Sequence, residues 1–184
     1  REFRETSDGS TLYIGNPPYV RHHQIEPEWK AWLGEQAGKL DLSASKLAGL
    51  HVYFFLATAL NAKLKDMGAF ITASEWLDVN YGALVRSLML ADLGGKSVTV
   101  IEPTAQPFPD AATTAAITTF EIGSSPQTVN FRRVDKLETL GDLSKGRKVH
   151  RDRLATESRW SHLTRNSQRP PDGFVELGEL CRVH

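Results

Sequence analysis

Three observations predict an α/β fold. Short apolar runs at residues 12–14, 69–73 and 97–102 are separated by longer stretches of helical spacing, and a fourth run at 115–122 follows with no helix between. Gly and Pro cut the apolar runs off sharply, as at the ends of strands. The composition, 40% hydrophobic and 24% charged over 184 residues, is that of a chain able to bury a real core.

In chain order, residues 1–11 are polar and contain Asp8-Gly9, which reads as an approach loop or hairpin to the first strand. Leu12-Tyr13-Ile14 is a buried strand stopped by Gly15 and two prolines. Pro27-Glu28-Trp29-Lys30-Ala31-Trp32-Leu33 has Pro near its start and good helix formers, predicting a short helix. From Ala44 to Met67 the apolar positions Leu47, Leu50, Val52, Phe54, Phe55, Ala59, Leu60 and Leu64 form a broad pattern. They predict one long helix packed on a sheet, with its aromatic residues in the core and Gly68 closing it.

Ala69–Ala73 is a second strand, with Ser74 to Asp78 at its carboxyl end, and a helix follows from about Asn80 to Leu93. Gly94-Gly95 turns the chain into a third strand, 97–102; a loop then presents Phe108, and a fourth strand spans 115–122. Thr128–Val134 is a candidate further strand. Residues 135–170 are polar and weakly periodic, with a helix over 149–163 at most, and Arg169-Pro170-Pro171-Asp172-Gly173 breaks the chain before Phe174.

No apolar run approaches the roughly 20 residues of a membrane span. The opening Arg-Glu-Phe-Arg has neither a signal-peptide core nor an initiator Met, so the chain reads as a piece of a longer one. One cysteine, Cys181, excludes an internal disulfide and a cysteine-rich zinc site, which fits a cytoplasmic location. His22 and His23 invite a metal reading, but no further ligands recur at useful spacing, so no metal is expected. The net charge of zero hides an excess of +6 over residues 128–169. There, Arg132, Arg133, Lys145, Arg147, Lys148, Arg151 and Arg153 either neutralise nucleic-acid phosphates or line a solvated connector.

The most informative segment is Tyr13-Ile14-Gly15-Asn16-Pro17-Pro18-Tyr19-Val20. A strand that stops there puts Asn16 at its carboxyl end, where open α/β sheets bind ligands. Asn16 offers a side-chain carbonyl, stiff prolines let the Pro17 carbonyl serve as a second acceptor, and Tyr19 supplies a flat face. That set suits capture of a planar amino group, although Asn-Pro-Pro is also ordinary turn chemistry.

Asn16-Pro17-Pro18-Tyr19 resembles the catalytic loop of S-adenosylmethionine-dependent N6-adenine DNA methyltransferases of restriction-modification systems. Residues 68–93 and the run Gln106 to Ile117 resemble later segments of that family in the same order, so the match extends from about Leu12 to about Gly123. The resemblance implies the second half of a class I, Rossmann-like methyltransferase sheet, parallel strands with a final antiparallel one, incomplete without its N-terminal half. It further implies residues 1–134 as the C-terminal half of the catalytic domain, 135–170 as a basic connector and 171–184 as the start of a target-recognition region.

On the same resemblance, Asn16, Pro17, Pro18 and Tyr19 carry the chemistry, and Tyr19 and Phe108 sandwich a base flipped from the duplex. Trp76, which packing explains almost as well, and Asp78 border the cleft. Arg21, His22, Arg132, Arg133, Arg147 and Lys148 are candidates for the DNA backbone. The methyl donor would be S-adenosylmethionine, whose main binding loops are not found in this chain, so the chain alone is expected to bind it poorly. The expected partners are double-stranded DNA and either the missing N-terminal half or a second copy, met through the apolar edge of the first strand. Open alternatives are a protein-glutamine or RNA amino-methyltransferase, and a non-catalytic DNA-binding or assembly module.

Overall fold

The computed structural model describes residues 9–105, 113–142, 145–165 and Val175. Its frame is a six-stranded sheet built from β1 (Leu12–Gly15), β2 (Met67–Ala73), β3 (Gly95–Ile101), β4 (Ala115–Glu121), β5 (Thr128–Val134) and β6 (Arg147–His150). The spatial order is β1-β2-β4-β3-β5-β6. β1 runs parallel to β2, and β3 parallel to β5, while β4 lies antiparallel between β2 and β3. The expected antiparallel strand is therefore present, but it is internal, and β5 and β6 extend the sheet beyond it.

The helices are α1 (Pro27–Gly38), α2 (Leu50–Asn61), α3 (Ala83–Leu90) and α4 (Arg151–Thr156). Side chains alternate across a strand, so Phe70, Phe120, Val98, Val100, Val129 and Phe131 meet the helices in one main core, with Phe55, Leu56, Trp76 and Leu88 at its centre. A smaller cluster of Ile101, Ala105 and Ala115, with Ile71, Ile117 and Leu140 against it, uses the alternate positions of the strands. At about 25 cal/mol per Å² of apolar surface removed from water, the main core dominates the stabilisation.

Several expectations change. The helix over 44–67 is only α2: Lys63 to Asp66 form a turn in which Lys65 adopts a positive φ of 73° and the buried Asp66 carboxylate accepts from Thr11 N at 2.7 Å and Lys63 N at 2.8 Å. That clamp ends the helix early, and Gly68, expected as its terminator, lies inside β2 against the ring of Phe120. Phe54 is 41% exposed, so not every aromatic residue of α2 is core. β1 is the apolar edge strand expected of a strand without its neighbours, with Leu12 58% and Ile14 76% exposed.

Among the described residues beyond 134, those of 145–165 pack on the sheet. Val149, Leu154, Trp160 and Leu163 join the main core, and the Trp160 N–H donates to the Leu77 carbonyl at 2.8 Å. The helix expected within 149–163 at most is α4, Arg151–Thr156, which follows β6.

Candidate active site

β1 and β2 are parallel, so their carboxyl ends open on the same rim. Gly15 faces Phe70 across the pair, where a Cβ would lie 3.2 Å from the Phe70 Cδ1 atom; the ring and the following Pro17, which is buried, fix the exit of the chain from β1. Asn16 and Pro18 are exposed at the rim, and Tyr19 is 44% exposed, with partial burial pushing its phenol pKa upward. The turn is closed by the Val20 N–H donating to the Pro18 carbonyl at 3.0 Å. The Val20 carbonyl in turn accepts from Leu50 N at 3.0 Å, so the loop is tied to the first turn of α2.

Behind that tie sits His51, buried, tilted against Tyr81 at 6.2 Å and packed along Gly49. Burial pushes its pKa down to about 4, opposed weakly by the Glu75 carboxylate, so the imidazole is neutral at ordinary pH. The Tyr81 hydroxyl donates to Glu75 Oε2 at 2.9 Å, and burial followed by that hydrogen bond pushes the phenol pKa up. His51, Glu75 and Tyr81 were not singled out from the sequence, because their grouping depends on α2 and the turn after β2 meeting at the rim. Beside them, a groove of about 600 Å³ opens between α1 and α2, lined by Val20, Ile25, Trp29, Trp32, Tyr53 and Phe54.

Other candidates separate from the loop. Trp76 is fully buried, its Nε1 donating to Thr72 Oγ1 at 3.1 Å, and it serves packing rather than a cleft wall. Asp78 Oδ1 accepts from Ser161 N at 3.0 Å and thereby ties the rim of β2 to the segment after α4. Phe108 lies outside the described residues.

The basic residues divide sharply. Arg132 is 7% exposed and donates to the carbonyls of Leu140, at 2.9 Å, and Asp142. Arg133 is ion-paired to Glu102 and donates to Thr164 Oγ1 at 3.0 Å. Arg132 is thus an internal staple, whereas Arg133 is paired within the chain but keeps a partly exposed side chain; a charge count cannot register carbonyls waiting at the end of a turn. Arg151 is used the same way, donating to the Pro126 and Leu90 carbonyls at 2.6 Å each. Arg21, Arg147 and Lys148 are exposed and His22 is half-buried. Arg147 and Lys148 lie on β6, five strand spacings from β1, or about 24 Å across the sheet. Among the described residues no three His, Cys, Asp or Glu side chains converge as a metal site, and no helix is long and apolar enough to cross a membrane.

Residues 5–104 match the model of the Eco57I restriction-modification methylase family. The chain is 51% identical, over 176 residues, to the type II methyltransferase M.XamI of Xanthomonas campestris pv. amaranthicola, covering 96% of this chain and 33% of that protein. It thus spans about a third of the length of that relative. Among solved structures, the type IIG restriction endonuclease BpuSI superimposes with a TM-score of 0.64 at 16% identity, over 84% of this chain and 21% of that one. A structure from Listeria monocytogenes assigned to the class I S-adenosylmethionine-dependent methyltransferases gives a TM-score of 0.52 at 14% identity, over 73% of this chain and 40% of that one. Both likenesses concern the fold, which is that of the class I methyltransferases.

Proposed function

Because this chain belongs to the Eco57I restriction-modification methylases, we propose that it is the amine-acceptor half of a DNA methyltransferase that modifies N6 of a flipped-out adenine. One observation carries this reading: Asn16 and Tyr19 stand exposed on a braced turn at the carboxyl end of a parallel strand. Asn16 Oδ1 and the Pro17 carbonyl accept the two N6 hydrogens, drawing density toward nitrogen and holding its lone pair on a fixed line, while the Tyr19 ring carries the purine face. An amino group inside a stacked duplex cannot reach such a turn, so the base leaves the helix. Phe108 is assigned the opposite face of the base by family resemblance.

S-adenosylmethionine, the donor that the fold implies, would supply an electrophilic methyl group. The described residues do not fit a cradle for it: none of their strands leads from its carboxyl end through a glycine-rich loop directly into a helix. No step of the reaction is therefore assigned to residues holding the donor. The two sheet edges support the same division of labour. β6 presents Arg147 and Lys148, charges that discourage a further strand, whereas β1 presents Leu12 and Ile14. β1 is the edge suited to pair with the rest of the enzyme.

Two measurements test this reading. The enzyme that carries this chain, incubated with labelled S-adenosylmethionine and duplex DNA and then digested to nucleosides, should yield the label on N6 of deoxyadenosine. Label on cytosine, RNA or a protein glutamine would overturn the assignment. For the DNA backbone, Arg147→Ala and Lys148→Ala should each flatten the slope of log affinity against log salt by about 1, and Arg132→Ala should leave it unchanged.

A further inference from the structure

Among the described residues, His51 Nε2 is the sole buried side-chain nitrogen or oxygen without a hydrogen-bond partner. Buried polar atoms are nearly always paired, and an unpaired one lowers stability, so one that is kept calls for an explanation, a role at a functional site among them. The position of this atom sharpens the point. The Nδ1–Cε1 edge of the ring packs on Gly49, where a Cβ would meet Cε1 at 3.1 Å, Nδ1 at 3.2 Å and the Val20 carbonyl at 3.3 Å. Leu50, between Gly49 and His51, holds that same carbonyl through its N–H. Tyr81 tilts against the imidazole and is itself fixed by Glu75. The imidazole is thus wedged between the end of the Asn16–Tyr19 loop and the rim of β2, neutral because it is buried, with its Nε2 unpaired.

We propose that His51 is a positioning residue for methyl transfer, whose Nε2 is paired by the catalytic loop when the purine is seated against Tyr19. The proposal rests on the functional reading above and goes beyond it by naming the group that locks the loop in its working shape. It follows that His51 exchanges stability in the empty protein for order in the loaded one.

The test uses the enzyme that carries this chain and three variants, measuring kcat, KM for the target duplex and the midpoint of thermal unfolding. His51→Phe keeps a planar ring without nitrogens: kcat should fall by about tenfold to a hundredfold, with KM within about twofold and the unfolding midpoint equal or higher. His51→Gln, whose amide nitrogen reaches the place of Nε2, should recover most of kcat; His51→Asn, which reaches only the place of Nδ1, should not. A His51→Phe enzyme that keeps its kcat, that loses stability, or whose kcat merely follows the unfolding midpoint across the three variants would overturn the proposal. Asn16→Ala run alongside separates the two failures. If it is inactive and His51→Phe is fully active, only the role of His51 falls; if it is active, the reading of the loop falls with it.

Discussion

Asn16→Ala in the enzyme that carries this chain should reduce methyl transfer by about 100- to 1000-fold, the scale on which removal of a preorganised polar contact to reacting charge is felt. The side chain is exposed at the rim and takes part in none of the hydrogen bonds that close the turn, which run through Val20, Pro18 and Leu50. Stability should therefore change by less than about 0.5 kcal/mol, as for a surface substitution. DNA affinity should change little, since the residue carries no charge and phosphate contacts dominate affinity. Labelled methyl transfer under single-turnover conditions, set beside a binding titration at the same salt concentration, checks both halves. Equal losses in transfer and binding would remove Asn16 from the chemistry and make it a contact residue only.

Trp160→Ala should be the most destabilising single truncation, by about 3–5 kcal/mol. Trp160 is fully buried, packs edge-on against Trp76 at 6.2 Å and Phe131 at 5.7 Å, and donates its Nε1–H to the Leu154 carbonyl at 3.3 Å. Its loss opens a cavity where the segment after β6 meets the core, and weakens the Leu77 and Asp78 links that depend on that docking. Since a domain's whole stability is of order 5–15 kcal/mol, the midpoint in urea should fall steeply. Trp29→Ala, at a position 53% exposed, is the control and should cost far less. If the two variants unfold at similar urea concentrations, residues 147–164 are not an integral part of the core.

The strands and the loop were legible because their signals are local. Gly15-Asn16-Pro17-Pro18 ends a strand whatever surrounds it, and Ala69–Ala73 and Ser97–Ile101 are apolar runs of strand length. An antiparallel last strand was legible only through family resemblance, and its place between β2 and β3 emerges only in the structure, since the pairing of β4 with the non-consecutive β2 leaves no mark on either. What local signals missed depends on distance along the chain. Arg132 and Arg151 read as surface cations because the carbonyls they satisfy belong to other segments. Trp160 sits in a polar stretch, and its weight in the core shows only once Trp76 and Phe131 are beside it. The length of α2 was overestimated because its apolar pattern runs past Asn61, while the Asp66 carboxylate that stops it works through backbone N–H groups that carry no sequence signature. His51 leaves no signal for the same reason: a histidine in an apolar helix is unremarkable until its nitrogen stands without a partner.

The antiparallel strand wedged into the middle of the sheet governs the order in which a nascent chain can assemble. β2 and β3 follow one another in sequence yet are never neighbours, since β4 occupies the gap between them. Emerging from a ribosome, the two must remain apart until Glu121 is available, because direct pairing between them would shut out the strand that belongs there. Late closure of this kind leaves apolar strand edges exposed during synthesis, and yields should respond to growth temperature and to chaperone supply more than native stability alone would suggest.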